Sequence, residues 1–224
     1  MKTKILSYNS SEYPFHEVIG RFIGENDLSL VSTGDQNFET KNSYYKNMEL
    51  TPAFERMYAA LDDENRGREF YRLYEKFIQE VIRPQFDEPI YYQKKPSHRI
   101  LFRDLKGQAR FHRDSDYGHE DHEVNYWVPQ TRAFDTNTIW IESENGKENY
   151  KSQNLEIGEY LKFHGAALSH GAMDNITDRT RVSFDFRVVR ESDFLGSLTA
   201  KGANEYNADN NPIRSNAHKF VKCA

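Results

Sequence analysis

An alternation of apolar and polar residues between positions 181 and 189 constrains the fold more than any other feature of the chain. The apolar set is Val182, Phe184, Phe186 and Val188, and the polar set is Arg181, Ser183, Asp185 and Arg187. Because successive side chains of a strand point to opposite faces, each set occupies one face. The segment therefore predicts a β-strand with one apolar face and one polar, largely charged face.

Five further segments after Pro89 have the length and composition of short strands. They cover residues 90–93, 99–103, 123–128, 138–142 and 159–163. Turn residues separate them, for example Asn145-Gly146 and Ile157-Gly158. Aromatic residues make up 14% of the chain, which suits a sheet-rich fold. Short strands at this spacing predict an antiparallel sandwich or barrel, with the jelly roll of cupins as one form.

The first part of the chain has helical patterns instead. Thr51 is a favoured N-cap residue, Pro52 suits the first helical position, and apolar residues then recur with helical spacing to Leu61. A second helix is predicted over residues 68–82, ended by Pro84, and a third over residues 12–23. We expect these helices to cover a sheet.

One domain of 224 residues is therefore expected, because a chain of this length can bury a sizeable core. Residues 1–88 would be a mostly helical cover, residues 89–190 the jelly-roll core, and residues 191–224 a C-terminal extension. The fold class predicted is mainly β with flanking helices.

Charge and cysteine content limit the partners. The formal net charge of −5 gives no general attraction to nucleic acid or an anionic membrane. The single cysteine, Cys223, excludes an intrachain disulfide and fits a reducing compartment. No apolar run is long enough for a signal peptide or a membrane span. We expect a cytoplasmic protein that acts on a small molecule; the sequence leaves its oligomeric state open.

The segment Phe111-His112-Arg113-Asp114 contains a candidate metal site. On an extended strand, His112 and Asp114 point to the same face, so one imidazole and one carboxylate can share an ion. A distant imidazole, for which His170 is the candidate, would complete the 2-His-1-carboxylate triad of non-haem Fe(II) oxygenases. A His-x-Asp triplet alone is a weak signal.

The stronger signal is the combination of His170-Gly171-Ala172, Asn175 and Arg181, which lies 11 positions after His170. Here the chain resembles the Fe(II)/2-oxoglutarate-dependent oxygenases, and among them the phytanoyl-CoA dioxygenase-like branch, over residues 99–190. The resemblance implies a double-stranded β-helix, which is a cupin-like jelly roll.

The resemblance also implies the ligands. His112, Asp114 and His170 would bind Fe(II), while Arg181 and Ser183 would bind the distal carboxylate of 2-oxoglutarate. One metal position would remain for O2. No catalytic residue beyond the metal ligands is predicted.

Other histidines compete for a place in the site. His164 also precedes a glycine, but Arg181 lies 17 positions after it, so we predict a supporting or pocket-lining role for His164. His119 and His122 are expected in a solvated loop. Asp116 could replace Asp114 as a metal ligand only if the ligands did not follow the i, i+2 spacing from His112.

Asp114 also bears on the reaction. In related halogenases a small residue replaces this carboxylate, so its presence favours hydroxylation, with release of succinate and CO2. The predicted substrate is a small molecule of a natural-product pathway, or one resembling an amino acid or sugar. The alternative is a cupin-type metal-dependent isomerase, or a metal-bound sensor module.

Residues that could contact the substrate are less well defined. The candidates are Asn125, Arg103, Arg187 and His164. For Asn125, a position at the strand edge or facing outward is an equal alternative. For Arg187, the alternative is a salt bridge with Asp185 or another acidic neighbour.

Overall fold

Two antiparallel sheets form the body of the protein. The computed structural model describes residues 1–34, 38, 44–106, 109–194 and 220–224. Within them the strands are β1 (Lys4–Ser7), β2 (Ile90–Gln93), β3 (Ser97–Leu101), β4 (Ala109–His112), β5 (Val124–Pro129), β6 (Trp140–Ile141), β7 (Lys151–Ser152), β8 (Glu159–Phe163), β9 (His170–Ala172), β10 (Arg181–Arg190) and β11 (Phe220–Cys223).

The larger sheet has seven strands in the order β1-β8-β5-β10-β2-β11, with β3 also paired to β10. The smaller sheet has the order β4-β9-β6-β7. Trp127 and Leu161 of the larger sheet belong to one apolar cluster with Ile141 of the smaller one, so the sheets face each other. The protein is a mainly β sandwich with flanking helices.

Four α-helices are described, and they lie in the first part of the chain. They are α1 (Phe15–Ile23), α2 (Tyr44–Glu49), α3 (Pro52–Asp62) and α4 (Arg68–Phe77), which continues as a π-helix (Ile78–Ile82). Thr51 accepts a hydrogen bond from the Phe54 amide, as its N-cap position predicts. The helices cover the apolar face of the larger sheet: the rings of Phe15 and Phe184 lie 5.0 Å apart.

Strand β10 organises the larger sheet because it pairs with β5, β3 and β2. Its even-numbered residues face the helices, where Phe186 contacts Tyr74. Its odd-numbered residues face the smaller sheet, where Arg187 reaches Asp114. The polar face predicted from the sequence is thus the wall of the space between the sheets.

Element boundaries agree with the sequence in part. Strands at 90–93 and 159–163 lie where predicted, whereas β3 starts two residues before the predicted 99–103. The edge strands β1 and β11 and the short helix α2 were not predicted. Most of the predicted extension, residues 195–219, lies outside the described residues. In the described part of the chain, no helix is long and apolar enough to cross a membrane.

His98 of β3 is a buried histidine in the helix-facing core. Its ring lies 4.9 Å from that of Phe70 and 5.7 Å from that of Phe184. Neither ring nitrogen has a hydrogen-bond partner among the described residues. Burial lowers the pKa of His98 to about 3, so the ring is neutral in the folded protein.

This predicts a pH-dependent stability. The unfolded state takes up a proton on His98 below about pH 6.5, while the native state does not. The free energy of unfolding should therefore fall by up to about 1.4 kcal/mol per pH unit as the pH drops from about 6.5. His98→Phe should flatten this dependence, measured by denaturant unfolding at pH 7.5 and 5.

His98→Leu serves as a second variant in case the larger ring of phenylalanine strains the core. The readout is the change in stability between the two pH values, which does not depend on the absolute stability of either variant. An identical pH dependence in wild type and both variants would contradict a neutral His98.

Candidate metal centre

Two strands of the smaller sheet bring the predicted histidines together. His112 ends β4, His170 begins β9, and the two residues are directly opposite each other in the antiparallel pair. Arg113 keeps an extended backbone, and Asp114 then begins a 3-10 turn that ends at Tyr117. The register of one strand pair and the turn after it therefore place all three predicted ligands.

The three side chains are close enough to share an ion. Their candidate ligand atoms all lie within 4.8 Å of one another. Oδ1 of Asp114 is 3.6 Å from Nε2 of His112 and 3.5 Å from Nε2 of His170. The side chain of His112 is 23% exposed, against 3% for Asp114, so the group opens to solvent on the His112 side.

The backbone fixes the tautomer of both imidazoles. Nδ1 of His112 lies 2.8 Å from the Arg110 carbonyl, and Nδ1 of His170 lies 2.9 Å from the Leu168 carbonyl. A carbonyl oxygen only accepts, so each Nδ1 carries a hydrogen and each Nε2 faces the Asp114 carboxylate. In the neutral form of each ring, Nε2 is therefore the nitrogen with the lone pair that can bind a metal ion.

The second oxygen of Asp114 is held by the larger sheet. Oδ2 accepts hydrogen bonds from Asn125 Nδ2 at 2.6 Å and from Arg187 Nε and Nη2 at 3.0 and 2.9 Å. Burial alone would raise the pKa of Asp114, but Arg187 and the two histidines outweigh it, so this pKa lies well below its usual range. Asp114 is therefore ionised, with Oδ1 directed at the imidazoles.

Gly165 makes this arrangement possible. Its carbonyl accepts a hydrogen bond from the Asp114 amide at 2.9 Å, and its own amide donates to Asn125 Oδ1 at 3.2 Å. A Cβ at this position would lie 2.6 to 2.7 Å from the amide atoms of Asn125. Glycine thus lets the Asn125 side chain pass between the two backbones and reach the carboxylate.

The structure places Arg187 and Asn125 beside the metal ligand rather than on an open pocket wall. Arg187 makes its closest ion pair with Asp114 and further contacts with Glu123 at 3.6 Å and Asp185 at 3.9 Å. Glu123 in turn contacts His119 at 2.8 Å. Arg187 therefore forms an ion pair, which was the alternative to a substrate contact, and its nearest acidic partner is Asp114.

Arg181 and Ser183 lie on the same inward face of β10. Arg181 is 6% exposed; its Nη1 donates to Ser183 Oγ at 2.7 Å and its Nε to the Asn137 carbonyl at 3.1 Å. Its guanidinium also lies 5.5 Å from the ring of Trp127. None of the ion pairs among the described residues includes Arg181, so no carboxylate of this part of the chain contacts the buried cation.

Three other candidates lie outside the metal group. Nε2 of His164 contacts the Asp121 carbonyl at 2.5 Å, which holds the ring away from the other imidazoles. Asp116 is exposed and accepts from the Arg113 amide. The side chain of Arg103 is exposed just beyond β3. Sequence reasoning missed Gly165 and the role of Asn125, since only the fold brings them to Asp114.

If Asn125 positions Asp114, Asn125→Ala should weaken metal binding without removing a ligand. We expect the dissociation constant for Mn(II) to rise by about 10- to 100-fold. Calorimetric titration of the metal-free protein measures this constant. Asn65→Ala, which alters an exposed amide far along the chain from the ligands, is the matched control. Equal Mn(II) affinity in both variants would rule out the positioning role.

Comparisons with known proteins agree with this fold. The structure of ThoJ, a non-heme monooxygenase, matches with a TM-score of 0.55 at 11% identity, over 83% of this chain and 74% of that one. The structure of CytC3 with Fe(II) and α-ketoglutarate matches with a TM-score of 0.51 at 13% identity, over 98% and 84%. At these identities the likeness establishes the fold, and it confirms the predicted cupin-like jelly roll.

No protein-family model matches the chain. One curated protein does match in sequence. The streptomycin biosynthesis protein StrG of Streptomyces griseus is 32% identical over 191 residues, which cover 84% of this chain and 85% of StrG. At that identity and coverage, the chain belongs to the family of StrG.

Proposed function

We propose that the protein is a non-haem Fe(II)- and 2-oxoglutarate-dependent oxygenase that hydroxylates a small molecule. The observation that carries this proposal is that two features line the space between the sheets. A His–Asp–His group lies on the side of the smaller sheet, and a buried arginine with no acidic partner among the described residues lies on the facing wall of the larger sheet. The first group suits an open metal centre, and the second suits a dicarboxylic cosubstrate.

The donor set fits Fe(II). Two neutral imidazoles and one carboxylate on a single side of an ion leave its other positions open, which is the pattern of Fe(II) oxygenases. By simple counting the loaded site has a net charge of about +1, which attracts an anionic ligand. When bound there, Fe(II) supplies the activation of O2. The protein holds His112, Asp114 and His170 in place and limits access of water.

Arg181 suits the distal carboxylate of 2-oxoglutarate. Burial lowers the pKa of Arg181 to about 10, which shows how strongly the site disfavours an unpaired charge. A carboxylate placed against the guanidinium would supply the missing counter-charge through two parallel hydrogen bonds. Ser183 is already bonded to Arg181 and can donate its own hydroxyl hydrogen to the same carboxylate.

The comparisons support the same reaction class. The related ThoJ is described as a monooxygenase, and the CytC3 structure contains Fe(II) and α-ketoglutarate. StrG belongs to streptomycin biosynthesis, so an intermediate of a natural-product pathway is the substrate class we favour. The phytanoyl-CoA dioxygenase-like branch is proposed on the motif from His170 to Arg181, and we treat residues 1–224 as one oxygenase domain. A cytoplasmic location is proposed on the single cysteine of the chain.

A cupin-type isomerase or a sensor module would use the same metal ligands. Neither needs a buried guanidinium directed at the space between the sheets. The burial of Arg181 without an acidic partner among the described residues is therefore the feature that favours the oxygenase over both alternatives.

Arg181→Ala should raise the concentration of 2-oxoglutarate needed for half-maximal succinate formation by about 10- to 100-fold, because one charge-assisted contact is lost. Arg132→Ala is the matched control, since that guanidinium lies in a surface ion pair with Glu156 and is 65% exposed. An unchanged requirement in Arg181→Ala would place the cosubstrate elsewhere.

Asp114→Gly should abolish 2-oxoglutarate-dependent succinate formation and weaken Mn(II) binding, since it removes the charged ligand. Circular dichroism checks that the variant remains folded. Wild-type protein that binds Mn(II) yet shows no calorimetric signal with 2-oxoglutarate would contradict the proposed cosubstrate.

A further inference from the structure

A second guanidinium lies beside Arg181 on the inner wall. Arg99 is on β3, and the register of β3 with β10 places it directly opposite Ser183. Arg181 reaches the same serine from two positions along β10, with Nη1 at 2.7 Å from Ser183 Oγ. Residues directly opposite on paired strands are about 5 Å apart and share one face. Arg99 and Arg181 therefore flank Ser183.

Among the described residues, the Arg99 guanidinium has one hydrogen bond and one contact with an aromatic ring. Nη1 donates to the His98 carbonyl at 3.1 Å, and the guanidinium lies 5.4 Å from the ring of Tyr45. No ion pair within 4 Å among the described residues includes Arg99. Asp185 is on the same face, but the ion pair recorded for it is the 3.9 Å contact with Arg187. In the part of the chain that the structure describes, neither arginine beside Ser183 thus has a carboxylate within 4 Å.

Two neighbouring cations in a space of low dielectric destabilise each other. Burial is the main cause of the lowered pKa of Arg181, and the charge of Arg99 lowers it further. Asp185 opposes this repulsion: burial alone would lower the pKa of Arg99, but Asp185 and Tyr45 outweigh it and raise this pKa, and Asp185 also raises the pKa of Arg181. An anion between the two guanidinium groups would relieve both the repulsion and the missing hydrogen bonds.

We propose that Arg99 is a second arginine of the cosubstrate site and that it binds the distal carboxylate of 2-oxoglutarate together with Arg181 and Ser183. This inference rests on the proposed function. It adds a residue that lies outside the motif from His170 to Arg181, on a strand 82 positions before Arg181 in the chain. Three groups of donors around one carboxylate would select a dicarboxylic oxo acid over a monocarboxylic one.

The position of Ser183 favours the cosubstrate over an acidic group of the primary substrate. Its hydroxyl is bonded to Arg181, and Arg99 is the residue opposite it on the paired strand, so a carboxylate bound at Ser183 would lie between the positions of the two arginines. Arg99 is partly exposed, against 6% for Arg181, so solvent reaches the wall on the Arg99 side.

The test compares Arg99→Gln and Arg99→Lys with Arg132→Gln, whose guanidinium lies in a surface ion pair with Glu156. Anaerobic calorimetry of the Mn(II)-loaded protein measures the dissociation constants for 2-oxoglutarate and for pyruvate, which lacks the distal carboxylate. We expect the dissociation constant for 2-oxoglutarate to rise by about 10-fold in Arg99→Gln and by less in Arg99→Lys. The affinities of Arg99→Gln for pyruvate and Mn(II), and all three affinities of Arg132→Gln, should not change.

Each contrary result has a distinct meaning. An unchanged 2-oxoglutarate constant in Arg99→Gln overturns the inference, even if the primary substrate then binds more weakly. An equal loss of affinity for pyruvate or Mn(II) also overturns the inference, because the substitution then does not act on the distal carboxylate. Failure of the wild-type protein to bind 2-oxoglutarate would instead remove the proposed function itself.

Discussion

The contact of Asp114 with Arg187 and Asn125 joins the two sheets at the place where the chemistry is proposed. It fixes one carboxylate oxygen from the larger sheet, so that the other faces the two imidazoles of the smaller sheet. A buried carboxylate is stable only with such partners. If the sheets shifted relative to each other, the ligand would lose its orientation together with its charge compensation. The geometry of the metal centre thus depends on how the two sheets pack against each other.

Much of this could be predicted from the sequence, because the relevant signals are local. The alternation of apolar and polar residues along 181–189 predicts the two faces of the longest strand. The i, i+2 spacing of His112 and Asp114 predicts that both side chains lie on one side. The resemblance of residues 170–181 to an oxygenase motif indicates His170, but nothing in the sequence shows that His170 lies directly opposite His112. Helix boundaries at Thr51 and Arg68 followed from capping and apolar spacing.

The remaining features depend on contacts between distant segments. Asn125 and Arg187 were interpreted as possible substrate contacts, since nothing near them in sequence shows that a carboxylate 11 or 73 positions earlier occupies their polar atoms. Arg99 gave no signal of its own, because its meaning comes from its register with Ser183. Short edge strands such as β1 and β11 have little periodicity, and their pairing with β8 and β2 decides their conformation.

The close passage of Asn125 beside Gly165 has an evolutionary consequence. A methyl group at position 165 would occupy the space of the amide that holds Asp114, so any larger residue there must displace Asn125. Conversely, a smaller residue at 125 would remove the pressure for glycine at 165. We therefore expect substitutions at these two positions to occur together among relatives, although the positions lie 40 residues apart in the chain.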